Sequence, residues 1–460
     1  MVFSSPIFLF IFLPLFLIIY YLIPLSWKSF WILLSSYIFY SWWRLDFTLL
    51  LIFITIIAYF FALFIENSKN EVIKFRLLFL AVLVNLIILG YFKYANFGIE
   101  SFNSVLKSVS IDEIAWTSVV LPIGLSFFIF HAISYLVDIY RKTAKPAQNI
   151  IEFAAFVALF PHLIAGPVLR YHLLADQFKN RQHSWLMFSS GINRFMIGFA
   201  KKIMIADTLA PLANAVFLLP SPTFLDSWLG LIAYTLQIYF DFSGYSDMAI
   251  GLASMIGFKF PENFFHPYLS PSITVFWQRW HISLSSWLRE YLYIPLGGNR
   301  LGSARTYINL LVTMILGGLW HGANWTFILW GAWHGFWLAL ERFMNGKFKP
   351  IHPVFAIPKT LFLVMIGWIF FRSESVETIK LMLSGILGLQ GFTISDHLAF
   401  QITGMQTLTI LLGVLVIFLS KTLIWNKFSA KLIIFLPIIF LISILKMLSQ
   451  QYSPFLYFQF

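Results

Sequence analysis

The feature that most constrains this chain is the recurrence of apolar runs about as long as a bilayer is thick. A spanning helix needs about 20 mainly apolar residues, and such runs follow one another from 6–25 to 432–449, with 306–340 long enough for two. About 11 spanning helices are therefore expected, in an all-α polytopic membrane protein. Composition agrees: 60% of the 460 residues are hydrophobic and 11% charged, against roughly 25% charged in a soluble domain. Too little polar surface exists for a soluble enzyme or a disordered chain. The formal charge of +12 comes from basic residues in short loops between apolar runs, a pattern that suits anionic lipid headgroups and not nucleic acid.

Basic loops orient the spans. Lys69, Lys74 and Arg76 lie in 66–76, and Arg141, Lys142 and Lys145 in 139–147, whereas the intervening loop 96–115 carries no such cluster. The positive-inside rule then places both basic loops in the cytoplasm, and 341–349 and 421–431 there too if 372–404 stays on the outer side. Both termini fall on the side of the membrane opposite the cytoplasm. The N-terminal run lacks a basic leader and a small-residue cleavage site, so it reads as a retained first helix. Two stretches break the pattern. FAAFVALFPHLIAGPVLR (153–170) is interrupted by Pro161, Gly166 and Pro167 and is expected to be re-entrant, because irregular backbone at membrane depth survives only inside protein or beside water. Residues 259–300 are too polar for lipid and are expected as broken or oblique helices inside the bundle. No internal repeat is visible, which disfavours the layout of many secondary transporters.

The absence of cysteine excludes disulfides, a thiolate nucleophile, an acyl-cysteine intermediate and a cysteine-held metal. Of ten histidines, eight read as loop residues or as core imidazoles already hydrogen-bonded: His131, His162, His172, His183, His266, His334, His352 and His397. His321, in MILGGLWHGANWTFILWGAWHG, follows a Gly-Gly pair at the end of an apolar helix, where an ionisable group is costly and usually faces a cavity. Trp320 and Asn324 are placed to enclose or orient its ring. His281 stands in the polar stretch TVFWQRWHISLSSWLREYLYIPLGGNR. A third cluster, Tyr239, Asp241, Ser243, Tyr245, Ser246 and Asp247, occupies a predicted span. Its carboxylates need partners there, expected from Arg279, Arg289 or a histidine, and read better as structural ion pairs than as catalytic acids. No phosphate-binding loop, HExxH, GxSxG, GxGxxG, His-x4-Asp box or metal-ligand spacing of histidines occurs, and no metal is expected.

These segments, together with LPIGLSFFIFHAISYLVDIYR, LFPHLIAGPVLR and the closing SPFLYFQF, resemble the membrane-bound O-acyltransferase family from end to end. Within it the chain is most similar to the bacterial alginate O-acetylation branch. The chain departs from the family at Gln278, where many relatives have Arg, and at His162, where Gln is common. The resemblance implies helices around a tunnel or funnel, with His321 in LWHG as general base and His281 in RWHIS as the second polar, positioning residue. Trp277, Arg279, Trp280, Trp320, Asn324, Asp241, Ser243 and Tyr245 become tunnel-lining candidates. It implies a single domain over 1–460, with a catalytic core at about 117–345 and peripheral helices at 1–116 and 346–460. The implied reaction moves an acetyl group from a cytoplasmic thioester such as acetyl-CoA, with no permanently bound cofactor, onto an extracytoplasmic polysaccharide such as alginate. A periplasmic acetyl-accepting protein is an implied partner, docking on 388–404 and the C-terminal tail. Peptidoglycan O-acetylation, D-alanyl transfer to teichoic acid, and a transporter or flippase remain alternatives.

Overall fold

The protein is represented by a computed structural model that describes residues 1–344, 347, 352–420, 433–450 and 455–456. Every regular element among them is helical. The expected cytoplasmic stretch 421–431, part of 341–349 and most of the C-terminal tail lie outside the described residues. The chain divides into two compact units: Met1–Ile192 with Ala249–Pro261, and Asn193–Met248 with Glu262–Phe460.

The first unit opens with α1 (Phe8–Leu22), α2 (Leu25–Ser41), α3 (Leu45–Asn67), α4 (Glu71–Ser108) and α5 (Leu125–Tyr140). Pro24, with no N–H to donate, stands at the N-cap of α2. Asn70 caps α4 by accepting from Val72 N at 2.8 Å. α3 packs against both α4 and α5. The loop expected at 96–115 is largely absent, because a π-helical turn at Gly90–Tyr94 carries α4 on to Ser108. The run at 117–138 is helical only from Leu125, since Pro122 and the left-handed Gly124 (φ +76°) set its start. In 153–170, helix α6 (Ile150–Ala158) breaks at Leu159 and a single turn, α7 (Phe160–Leu163), follows. The interruption falls at Pro161, which begins the new turn where its missing N–H costs nothing. α8 (Tyr171–Lys179) follows.

Two helices have residues in both units: α9 (Trp185–Ala200) and α11 (Phe224–Met255). Between them in sequence come a π-helical turn at Lys201–Ala206 and α10 (Asp207–Phe217). The stretch 259–300 is broken as expected, into a 3-10 turn at Pro267–Leu269, α12 (Ile273–Trp277), α13 (Ile282–Leu288) and a π-helical turn at Arg289–Tyr293. The run 306–340 is two helices, α14 (Gly302–His321) and α15 (Trp325–Met344). Then come α16 (Pro353–Arg372), α17 (Val376–Ile386), α18 (Asp396–Ala399), α19 (Gly404–Leu419) and α20 (Leu436–Ser449).

By length and composition, α3, α4 and α16 are each able to cross a membrane, and α1, α5, α19 and Ile433–Ser449 are shorter apolar helices. This is a helical membrane protein. The helices that carry polar clusters, α9, α11 and α14, are outside that group.

Candidate active site

His321 is the last residue of α14. The helix stops there because Gly322 is extended (φ −158°, ψ 149°), and α15 starts almost at once. Asn324 provides that start: its Oδ1 accepts from Thr326 N at 3.1 Å while its Nδ2 donates to Glu374 O at 3.0 Å. Asn324 is thus a helix cap, and the expectation that it orients His321 is corrected; its short side chain is spent on backbone. α14 and α15 pack closely because small residues stand where they meet. A Cβ at Gly318 would lie 2.1 Å from Phe327 O, and one at Gly331 would lie 2.3 Å from Met314 O. Such small-residue contacts let backbones approach in membrane bundles. The His321 ring, 6% exposed, is enclosed by Trp320, Trp330 and Phe371 at centroid distances of 4.9, 5.0 and 5.1 Å.

His281 begins α13, is fully buried and adopts a left-handed backbone (φ 44°, ψ 54°). For a non-glycine residue that conformation costs on the order of 1–3 kcal/mol and persists only where the surroundings hold it. Asn263 does the holding. Its carbonyl accepts from Ile282 N at 2.9 Å, and its Oδ1 accepts from Ser283 N at 3.2 Å and Ser283 Oγ at 2.8 Å. His281 Nδ1 lies 3.2 Å from the same Oδ1. A backbone N–H can only donate, so Oδ1 is the acceptor end of the amide, and Asn263 Nδ2 donates to Ser246 Oγ at 3.1 Å. His281 Nδ1 therefore carries the proton, and in the neutral ring the lone pair is on Nε2. A ring in that tautomer offers an acceptor at Nε2 and has no second N–H with which to polarise a carbonyl.

The two histidines converge on one indole: Trp320 lies 6.1 Å from the His281 ring and 4.9 Å from that of His321. Trp277 extends the frame, 5.6 Å from Trp330 and 5.3 Å from His334. Trp280 packs on Trp368 at 4.9 Å, whose Nε1 donates to Tyr268 Oη at 3.1 Å. Arg279 braces the loop instead of pairing with acid. Its Nη1 donates to Leu269 O at 3.1 Å, and its carbonyl accepts from Phe265 N at 2.9 Å.

The carboxylates find other partners than those expected from Arg279, Arg289 or histidine. Asp241 Oδ1 is 2.6 Å from Lys202 Nζ, which also reaches Asp207 at 2.7 Å. Asp247 pairs with Arg194 at 2.7 Å and Lys201 at 2.6 Å. The cations come from α9 and the π-helical turn after it. These pack on α11 through glycines: a Cβ at Gly198 would lie 2.4 Å from Gly244 O. Asp241 Oδ2 further accepts from Leu456 N at 3.1 Å. Ser243 is buried on the same helix, and the Tyr245 ring packs in a tilted arrangement against Phe455 at 4.5 Å.

Asn263 and Ser283 escaped the sequence reading, although FPENFFHP contains the first, because only the fold brings residue 263 beneath residue 281. In the sequence His334 reads only as a core histidine. Fully buried among Phe276, Trp277 and Trp330, it has no hydrogen-bond partner on either nitrogen among the described residues, and neither has His131. The reading of these two as hydrogen-bonded core histidines is corrected: aromatic packing, and not a carbonyl, holds them. The signal for His334 was present in the second Trp-His-Gly, Trp333-His334-Gly335.

The chain belongs to the MBOAT, membrane-bound O-acyltransferase, family, whose model matches residues 32–384. It is thus an acyltransferase, and the transporter alternative falls away. Over the whole of both chains it is 47% identical to the probable alginate O-acetylase AlgI of Azotobacter vinelandii, and 48% identical to that of Pseudomonas putida. It is 34% identical to the peptidoglycan O-acetyltransferase of Helicobacter pylori over 86% of this chain and 81% of that one.

Proposed function

We propose that this protein O-acetylates an extracytoplasmic polysaccharide, alginate or a polymer like it, with His321 as general base. The observation that carries the reading is the convergence of His321 and His281 on Trp320, in a chain nearly half identical, end to end, to alginate O-acetylases. The acyl donor is a thioester such as acetyl-CoA. The acceptor hydroxyl oxygen attacks the thioester carbonyl carbon, His321 takes the hydroxyl proton, the C–S bond breaks, and the proton passes to the departing sulfur. Aromatic walls around His321 exclude the water that would hydrolyse the donor. His281 is the positioning group: with Nδ1–H committed to Asn263, its Nε2 accepts from a hydroxyl and so orients it.

The protein works in a bacterial inner membrane with both termini periplasmic, about 11 spans and one catalytic domain whose core is about 117–345. The remaining tunnel candidates, Trp277, Trp280, Trp320, Ser243 and Tyr245, line or shape the acyl path. A periplasmic acetyl-accepting protein is the partner; segment 388–404 exposes Leu389, Phe392 and Phe400 for it. The test is acetate released by mild base from envelope fractions of cells lacking the gene and complemented with it. Restored acetate in exopolysaccharide is the expected result. Acetate restored in peptidoglycan alone moves the acceptor to the second family activity, and no restored acetate overturns the proposal.

A further inference from the structure

In the first unit Lys28 and Arg181 are buried, and among the described residues no carboxylate pairs with either. Lys28 and Arg181 are 8% and 7% exposed, and the charged group that acts on Lys28 is Arg181 itself. The Lys28 ammonium lies 4.4 Å from the ring centre of Tyr20 and 5.1 Å from that of Tyr21. The Arg181 guanidinium lies over Phe178 and Phe258 at 5.4 and 5.1 Å. Its hydrogen bonds go to neutral oxygens, Ser29 Oγ at 2.6 Å, Phe178 O and Tyr20 Oη both at 3.4 Å. Its Nε is buried without a partner among the described residues. Tyr20 Oη donates to Ile256 O at 2.7 Å, so it accepts from His183 Nε2 at 2.9 Å.

Position compounds the imbalance. Lys28 stands in the first turn of α2, whose helix dipole is positive at that end. Two cations and a dipole of the same sign are thus gathered in an apolar setting, where uncompensated charge is expensive. Around them Trp27 and Trp185 are 59% and 79% exposed, as aromatic side chains are at the level of lipid headgroups. The chain reverses between α2 and α3 at Trp42–Arg44, which puts the start of α2 at the same end as the loop holding Lys69 and the first turn of α4 holding Lys74.

We propose that Lys28, Arg181 and His183, framed by Tyr20 and Tyr21, form a phosphate-binding site at the interfacial end of the first unit, suited to the phosphate of an anionic phospholipid headgroup. A phosphate supplies the missing charge and acceptor oxygens for Arg181 Nε, Lys28 Nζ and Ser29 Oγ. Native mass spectrometry of the purified full-length protein tests it, with phosphatidylglycerol, phosphatidylcholine, coenzyme A and inorganic phosphate as separate probes. The expected result is retention of phosphatidylglycerol over phosphatidylcholine, weakened roughly thirtyfold in Lys28→Gln/Arg181→Gln, the loss of two headgroup-facing cations. Lys69→Gln, on the exposed loop, keeps the wild-type preference. Retention of coenzyme A or phosphate without lipid preference, lost in the same variant, supports the phosphate site and assigns a free source to its ligand. No preference for any phosphate probe in the wild-type protein overturns the proposal, whatever the variant does. So does an unchanged preference in Lys28→Gln alone and in the double variant.

Discussion

Two polar clusters lie buried in the second unit and are built on opposite principles. On α9, the π-helical turn after it and α11, each charge meets its opposite: Lys202 between Asp207 and Asp241, and Asp247 between Arg194 and Lys201. On α13, α14 and α15, imidazoles are set in aromatic walls, with His281 tied by one amide and His321 boxed by Trp320, Trp330 and Phe371. A neutralised network is worth little net stability yet is costly to break on one side. Imidazoles in a frame of aromatic rings, by contrast, belong to the residue type most used to exchange a proton. The carboxylate cluster fastens helices, and the histidine cluster is the one to which the proposed function assigns the chemistry.

The comparison breaks most visibly at His321. His321→Ala is expected to lower acetylation by about 10²–10⁴-fold, the usual contribution of a general base, while the amount of folded protein in the membrane stays at the wild-type level. Lys202→Met attacks the other cluster. It leaves Asp207 and Asp241 buried together with their shared cation gone, and is expected to cost about 3–5 kcal/mol of stability, read as a lower thermal midpoint in detergent. Activity there falls only in step with folded protein. Asn263→Ala sharpens the role of His281: the ring loses its tie, and a displacement of that kind costs up to about 10²-fold in rate, with kcat affected more than KM. Asn263→Asp, which keeps the acceptor oxygen, retains more activity than Asn263→Ala. Gly331→Ala forces a methyl against Met314 O and is expected to destabilise by about 1–3 kcal/mol, with His321 displaced as α14 and α15 part. The smallest effect belongs to Asn324→Ala, which removes a cap worth about 1 kcal/mol and leaves turnover per folded molecule unchanged.

Much of this was legible in the sequence. The apolar runs gave the helical class, Gly317-Gly318 and the Trp-His-Gly motifs marked α14 and α15, and the polarity of 259–300 announced a broken segment. The ion-pair role of Asp241 and Asp247 followed from the cost of burying acid. Their partners did not, because Lys201 and Lys202 sit inside an apolar run, and only the Gly198–Gly244 contact brings them beside α11. Loop lengths also misled. A π-helical turn can carry a helix through a stretch of loop-like composition, as in α4, and a Pro-Gly pair can delay a helix inside an apolar run, as before α5. The Asn263 clamp depends on a left-handed residue at position 281, a backbone state that no local pattern around a histidine announces.

Acetylation per folded molecule in two variants side by side is the most direct test of the division between the clusters. His321→Ala is compared with the charge-neutral Lys202→Met/Asp207→Asn/Asp241→Asn, each normalised to protein recovered from the membrane. The prediction is a folded, inactive His321→Ala beside a neutralised variant with near wild-type activity in every molecule that folds. An active His321→Ala, or a folded but inactive neutralised variant, would contradict the assignment of chemistry to the histidines and of architecture to the carboxylates.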